Sequence, residues 1–459
     1  VLAELVTPAT PEAVAPRCGI EAGEIRSLAR ELAAAPRAAV YGRIGTTTVP
    51  AGTVTSWLVD VLNVLTGNLD RPGGAMFALA AHGHRGTGTG PGFTVGRWHS
   101  RVRGLPEVLG ELPAVTLVDE IETPGDGQVR ALITMAGNPA LSVPGGDRLG
   151  AALSTLDFMV SVDPYLNATT RHAHVILPPP PPVEQSHYDV SLYHFAVRNV
   201  ANFSPPARPL APGALDEADI LLRLIAILCG RDTWGSIVDG RVRAEKLVDD
   251  KLRAGPYGES HGLTLDKLRA HPHGIDLGPL GERIPEILRT PSGRIELCPE
   301  PVATEARRLI ADSAGDEPDL VLIGRRHLRS NNSWMGNVPA LAKGASLCTL
   351  LVHPKDAARL GLVDGGLARV RSRSGTIEAT VEVSDAIAPG VVSLPHGFGH
   401  DLPGVRLSVA ARNPGVSVNR VTDELAVDPL SGNAVLNAVP VQVLPADHPE
   451  TIEELYAQR

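Results

Sequence analysis

Three short apolar runs, each ended by a turn signal, constrain this chain most. Val129–Met135 runs into Gly137-Asn138-Pro139, Phe158–Val162 into Asp163-Pro164, and Val175–Leu177 into five prolines from Pro178 to Pro182. Runs of this length rich in β-branched residues read as buried strands, and proline cannot continue them. Leu149–Leu156, between the first two, reads as a short helix. Strand, helix, strand in that order implies parallel pairing with helices laid on the sheet. Upstream, Ala22–Ala35 has helical character and stops at Pro36. Ala38–Tyr41 is a short apolar run broken at Gly42 and Gly45, and Val54–Leu65 carries apolar residues at helical spacing up to Gly67. Ala80–Gly92, rich in Gly, His and Thr, reads as a loop, and Ala218–Cys229 as an apolar helix.

The last third changes style. Ala306–Asp319 is polar and charged and reads as a linker. Beyond it, Leu320–Ile323, Cys348–Val352, Leu367–Ser372, Thr376–Val383 and Val391–Leu394 are strand candidates, with a hairpin turn at Ser374-Gly375 and a helical turn or two at Pro354–Leu360. That pattern predicts a separate, mostly β domain, a barrel. At 459 residues the chain is long enough for two or three compact units. A net charge of −9 argues against nucleic acid or an anionic membrane as the main partner, and no apolar run reaches membrane-spanning length. Cys18, Cys229, Cys298 and Cys348 lie far apart without a Cys-x-x-Cys pair, so this chain offers no zinc knuckle and no iron–sulfur motif. Four lone thiols read as small buried hydrophobes in a reducing compartment, which makes the cytoplasm the expected location. The chain begins with Val rather than Met, as a processed or truncated start would.

Ligands of open parallel sheets bind beyond the carboxyl ends of the strands. Gly42 and Gly45 with Thr46–Thr48 follow Ala38–Tyr41, Gly137-Asn138 follow Val129–Met135, and Asp163 follows Phe158–Val162. Each alone reads as an ordinary turn, since Gly, Asn and Asp dominate turns. At successive strand ends they favour a nucleotide site. The carboxylate of Asp163 suits the N–H edge of guanine or ribose hydroxyls. A second constellation, Gly324–Trp334, packs Arg325, Arg326, Arg329, His327 and four small polar residues into one loop. Guanidinium forks match phosphate oxygens, so in an acidic chain this loop suggests an anionic ligand; a solvated basic loop fits the composition equally. The histidines, among them His172, His174, His396 and His400, match no zinc spacing, and no protein-borne metal site is expected.

Taken together, these stretches resemble the dimethyl sulfoxide reductase family of molybdopterin oxidoreductases, especially its formate dehydrogenase-like members. Leu65-Thr66-Gly67-Asn68 with Arg71-Pro72-Gly73-Gly74 is similar to a family signature. So, in order, are Gly137-Asn138-Pro139, Asp163, Thr169-Thr170, Val175–Pro178 with Glu184, Thr290–Leu297, the loop from Gly324, His353–Gly361 and Pro389-Gly390-Val391.

The resemblance implies discontinuous parallel-sheet α/β domains followed by a C-terminal double-psi β-barrel. Their expected spans are residues 1–85, 86–305, a linker at 306–318 and a barrel at 319–459. It implies a molybdenum or tungsten bis-(molybdopterin guanine dinucleotide) cofactor. One dinucleotide would lie on the Gly42, Gly45 and Thr46 side, the other on the Gly137, Asn138, Asp163 and Thr169 side. Arg326, His327, Ser330, Asn331, His396 and Asn419 would clamp both from the barrel. Arg85 is the nearest candidate for an arginine beside the metal, an exposed loop residue being the alternative. An iron–sulfur cluster and the protein ligand to the metal belong to a family segment outside this chain, so this polypeptide alone is expected to be inactive. The implied partners are a small-molecule substrate, an upstream polypeptide and an electron-transfer protein, with no nucleic acid and no membrane insertion. Ala168 and His174 stand where the family often has acidic residues. A non-catalytic structural subunit and one half of a split enzyme are the rival readings.

Overall fold

The computed structural model describes residues 1–83, 95–230, 240–312 and 318–447. It divides into two units. One holds Gly42–Ser56, Val95–Ile176 and Ala311–Arg459, and the other Val1–Tyr41, Trp57–Thr94 and Leu177–Ile310. These groupings cut across the spans expected from the sequence. The segment 177–310 joins the N-terminal residues, and 95–176 joins the C-terminal strands.

In the first unit, a hairpin of β1 (Val95–His99) and β2 (Pro106–Val108) leads to a three-stranded parallel sheet. Its strands β3 (Ala131–Met135), β4 (Phe158–Val162) and β5 (Val175–Ile176) lie in that order. Helices Leu117–Glu122 and Gly146–Leu153 cover one face, where Val118, Ile121, Leu149 and Leu153 share a core with Met159 of β4. Each fully buried Leu there contributes about 1.5–3 kcal/mol of transfer free energy. On the other face Val160 and Val162 are buried, while Ile133, Met135, Phe158 and Val175 are between 39 and 52% exposed among the described residues.

The C-terminal part of this unit is a curled seven-stranded mixed sheet. It uses β6 (Val321–Arg325), β7 (Thr349–Val352), β8 (Leu367–Arg371), β9 (Thr376–Val383), β10 (Val391–Pro395), β11 (Val439–Pro440) and β12 (Gln442–Pro445), in the order β11-β6-β10-β7-β9-β8-β12. The strict alternation of β9, exposed then buried along its length, sends Ile377, Ala379 and Val381 into a core with Leu322, Leu350, Val370 and Leu394. β6 and β10 run parallel, so the loops after both emerge at the same end of the sheet.

The second unit packs Tyr188, Phe203, Leu252, Leu263 and Leu268 beneath a two-stranded antiparallel ribbon, Asn199–Ala201 with Ile275–Gly278. The run Ala38–Tyr41, expected as a strand, is not one. Side chains take the place of a neighbouring strand: Asn63 accepts from Val40 N at 2.9 Å and donates to Val40 O at 2.9 Å, and Asn68 accepts from Ala38 N at 3.3 Å. The Gly73-Gly74 pair has an equally local reason, because a Cβ on Gly74 would stand 2.0 Å from Asn68 O. Two further expectations are corrected. Residues 306–312, expected as linker, finish the helix Glu300–Asp312, whose Ala303 and Ala306 are buried. Of the four cysteines only Cys348 is a buried hydrophobe; Cys18 and Cys229 are exposed. No helix is long and apolar enough to cross a membrane among the described residues.

Candidate functional site

The carboxyl ends of β3 and β4 meet in a closed polar network. Asn138 opens the turn Pro139–Ser142, and its Oδ1 accepts from Thr169 Oγ1 at 2.7 Å. Thr169 Oγ1 also accepts from Ala140 N at 3.0 Å. Asn167, which the sequence did not single out, accepts from Thr169 N and Thr170 N through one oxygen and donates to Asp163 Oδ2 at 3.2 Å. Asp163 Oδ1 accepts from Tyr165 N at 2.7 Å, the turn-forming bond expected of an Asp after a strand. Burial raises its pKa, while the Tyr165 and Asn167 donors oppose that shift. Asp163, Asn167, Thr169 and Thr170 are all buried, so the network is satisfied internally and rigid. Gly137 precedes it after Ala136, whose φ of 49° turns the chain out of β3.

The segment after β10 lies against these strand ends. Leu402 packs on Ala140, Leu141 and Ala168. Arg171 donates to Pro403 O at 2.7 Å, and Arg406 N to Leu166 O at 2.9 Å. Asn419 is buried here: its Nδ2 donates to Leu141 O at 2.7 Å and its backbone oxygen accepts from Gly145 N. Asn419 therefore fastens the strand-end loop to the segment after β10.

The loop after β6 starts from a half-buried anchor. Arg325 donates to Ser393 O at 2.5 Å and to both oxygens of Thr349, tying the ends of β6, β10 and β7 together. His396 N donates to Arg325 O at 2.9 Å, so the loops after β6 and β10 share one backbone joint. Burial holds the His396 imidazole below its usual range, and the Arg326 charge adds to the effect. Arg326 is exposed, and no carboxylate pairs with it among the described residues. His327 and Ser330 spend contacts inside the loop: His327 Nδ1 accepts from Arg329 N, and Ser330 Oγ donates to His327 O. Asn331 and Asn332 take φ values of 37° and 61°, a left-handed pair that asparagine tolerates. Gly397 is required beneath them, because a Cβ would stand 1.5 Å from Asn332 O.

Gly42, Gly45 and Thr46 sit in the same unit as these loops. Ile44–Thr46 forms a single tight turn, with Thr46 Oγ1 donating to Arg43 O at 2.7 Å, and nothing lies within 4 Å of a Cβ placed on Gly45. The segment 42–56 is held by the last residues of the sheet domain: Leu436 N and Asn437 N donate to Thr48 O, and Thr53 bonds Asp428. Arg85 lies outside the described residues. No group of three His, Cys, Asp or Glu side chains is placed to hold a metal among the described residues. The site thus offers an exposed guanidinium, a half-buried imidazole whose pKa is lowered, an open glycine turn and a rigid strand-end network. That donor set fits a large anionic ligand with polar heterocycles.

Residues 24–207 match the molybdopterin oxidoreductase family model, and residues 320–440 match the molydopterin dinucleotide binding domain. The chain belongs to the molybdopterin oxidoreductases, and membership indicates a molybdenum bis-(molybdopterin guanine dinucleotide) cofactor. It is 26% identical over 442 residues to the dimethyl sulfoxide/trimethylamine N-oxide reductase of Cereibacter sphaeroides, covering 86% of this chain and 53% of that protein. It is 24% identical to the F420-dependent formate dehydrogenase subunit alpha of Methanocaldococcus jannaschii, covering 93% of this chain and 62% of the relative. Its fold is that of the acetylene hydratase from Pelobacter acetylenicus, with a TM-score of 0.70 at 17% identity over 95% of this chain and 64% of that one. The chain spans about half to two thirds of the length of these proteins.

Proposed function

We propose that the chain is the catalytic-subunit portion of a formate dehydrogenase-like molybdopterin oxidoreductase, working in the cytoplasm, with its seven-stranded sheet closed as a double-psi barrel. The observation that carries this reading is the joint at Arg325. It joins the backbone just before the exposed Arg326 to that of His396, in the unit that also holds the strand-end network and the Gly45 turn. In this reading Arg326 and His396 hold pyrophosphate or pterin groups, Gly42, Gly45 and Thr46 receive one dinucleotide, and Gly137, Asn138, Asp163 and Thr169 border the other. His327, Ser330 and Asn331 shape the loop that presents Arg326. When bound, the dithiolene sulfurs and metal supply the two-electron chemistry, and the protein orients and insulates them.

A further observation supports an upstream polypeptide as partner. A parallel sheet is ordinarily covered on both faces, yet on one face Ile133, Met135, Phe158 and Val175 stay between 39 and 52% exposed among the described residues. We propose that polypeptide outside this chain covers it, within the same enzyme or as a separate subunit, and that electrons leave through that part. The test uses the full-length enzyme from its own host. Formate-dependent reduction of a viologen dye is expected, and Arg326→Ala with His396→Ala should leave folded protein with little pterin. A hydrogen bond to a charged group contributes roughly 1.5–3 kcal/mol, so the double variant should lose affinity by more than about a hundredfold. Full pterin content in the double variant would contradict the site. Oxidation of pre-reduced viologen by another oxyanion or an N-oxide, with no dye reduction by formate, would replace the substrate class alone.

A further inference from the structure

Asn437 stands where the two halves of the proposed cofactor cradle meet, a role that no feature of its local sequence announces. Its Oδ1 accepts from Gly324 N at 2.8 Å, and its Nδ2 donates to Thr48 Oγ1 at 2.7 Å. Thr48 Oγ1 in turn donates to Ile44 O at 3.1 Å. One continuous chain of hydrogen bonds therefore runs from the backbone of β6, one residue before the Arg325 joint, to the Ile44–Thr46 turn. The orientation of the amide follows from its neighbours: a backbone N–H faces one end and a hydroxyl already committed as a donor faces the other. β11 makes this possible. It pairs with β6 only through Val439–Leu322 and Pro440–Val321, and Ala438, at a φ of 60°, turns the backbone away before Asn437. The side chain then does what strand pairing no longer can.

We infer that Asn437 is a positioning residue that couples the turn at Gly42–Thr48 to the basic loop after β6, so that cofactor held by one segment stiffens the other. This rests on the reading of these segments as cofactor-binding. Bonds in such a chain polarise one another, and breaking the middle one releases both ends. The two kinds of substitution differ in what they release. Asn437→Ala removes both links. Asn437→Asp keeps the acceptor for Gly324 N but turns an oxygen toward Thr48 Oγ1, which must then rotate to donate and abandon Ile44 O.

The test is hydrogen exchange on the full-length holoenzyme, read together with the pterin guanine dinucleotide retained after timed gel filtration. Asn437→Ala is expected to speed exchange in both 42–48 and 324–332 and to shorten cofactor retention about tenfold, the size of one to two net hydrogen bonds. Asn437→Asp should speed exchange in 42–48 while sparing 324–332, and Thr48→Val should reproduce that pattern from the other side. Should Asn437→Ala fail to fold, the Asp and Val variants carry the test. Unchanged exchange at 42–48 in both of those variants would overturn the coupling. Coupled exchange in a parent that holds no dinucleotide would leave the joint standing and overturn the cofactor reading instead.

Discussion

Thr169 shows how much one buried hydroxyl can hold. It closes Asn138 to Ala140 across the ends of β3 and β4 while itself fully enclosed. Thr169→Val keeps the shape but strands an amide oxygen and a backbone N–H. A loss of about 1–3 kcal/mol is expected in denaturant unfolding, with Thr169→Ser recovering most of it. Equal stability of Val and Ser variants would show that the network is not satisfied as described. Protonation gives a second test at this scale. Burial depresses His172, His396 and His400 below the ordinary value of 6.5. Their unfolded forms bind protons first, so their contribution is fully present above pH 6.5 and is lost as pH falls through the depressed values. Thermal unfolding between pH 8 and 5 should show this decline, and His400→Gln should flatten it; a slope unchanged by that variant would contradict the burial argument. Residue-level legibility was uneven. Asp163 was readable because Asp after a strand is turn chemistry, whereas Thr169 came only from the family resemblance. Asn437 was not, because its partners lie 389 and 113 positions away.

Elements were legible wherever a period or a stop was strong. Phe158–Val162, Thr376–Val383 and Pro354–Leu360 have the boundaries expected from the sequence, each fixed by alternation or by a Pro or Gly at its edge. Ala38–Tyr41 failed because an apolar run does not say who supplies its hydrogen bonds, and here two asparagine side chains do. The segment 306–312 failed because charge on an amphipathic helix resembles charge in a linker: Ala303 and Ala306 form a buried stripe among arginines and acids. The loops after β6 and β10 are the elements most open to test. Gly397→Ala forces Asn332 O away and adds side-chain strain at a φ of 95°, a cost of about 1–3 kcal/mol that should displace the basic loop. Gly361→Ala, also left-handed but with open space around it, should be milder and leave the loop in place. Measuring stability and loop exchange on both separates the clash from the backbone conformation; equal effects would mean that the contact with Asn332 is unimportant.

At the scale of the whole molecule, the sequence conveyed which fold family to expect but not how the chain is apportioned. Contacts group 95–176 with the C-terminal strands, since Asn419, Leu402 and Arg171 stitch the strand ends to the segment after β10, and no local pattern announces pairings of that range. The same grouping brings Arg326, His396 and the Gly45 turn into one unit and supports a single large anionic ligand as their common purpose. The most direct measurement is stoichiometry: molybdenum, tungsten and the guanine nucleotide released by acid hydrolysis, counted per full-length enzyme. The account predicts one metal and two guanine nucleotides per catalytic chain, with both nucleotides diminished in Arg326→Ala, His396→Ala protein. Stoichiometric protein carrying neither metal nor guanine nucleotide would contradict it.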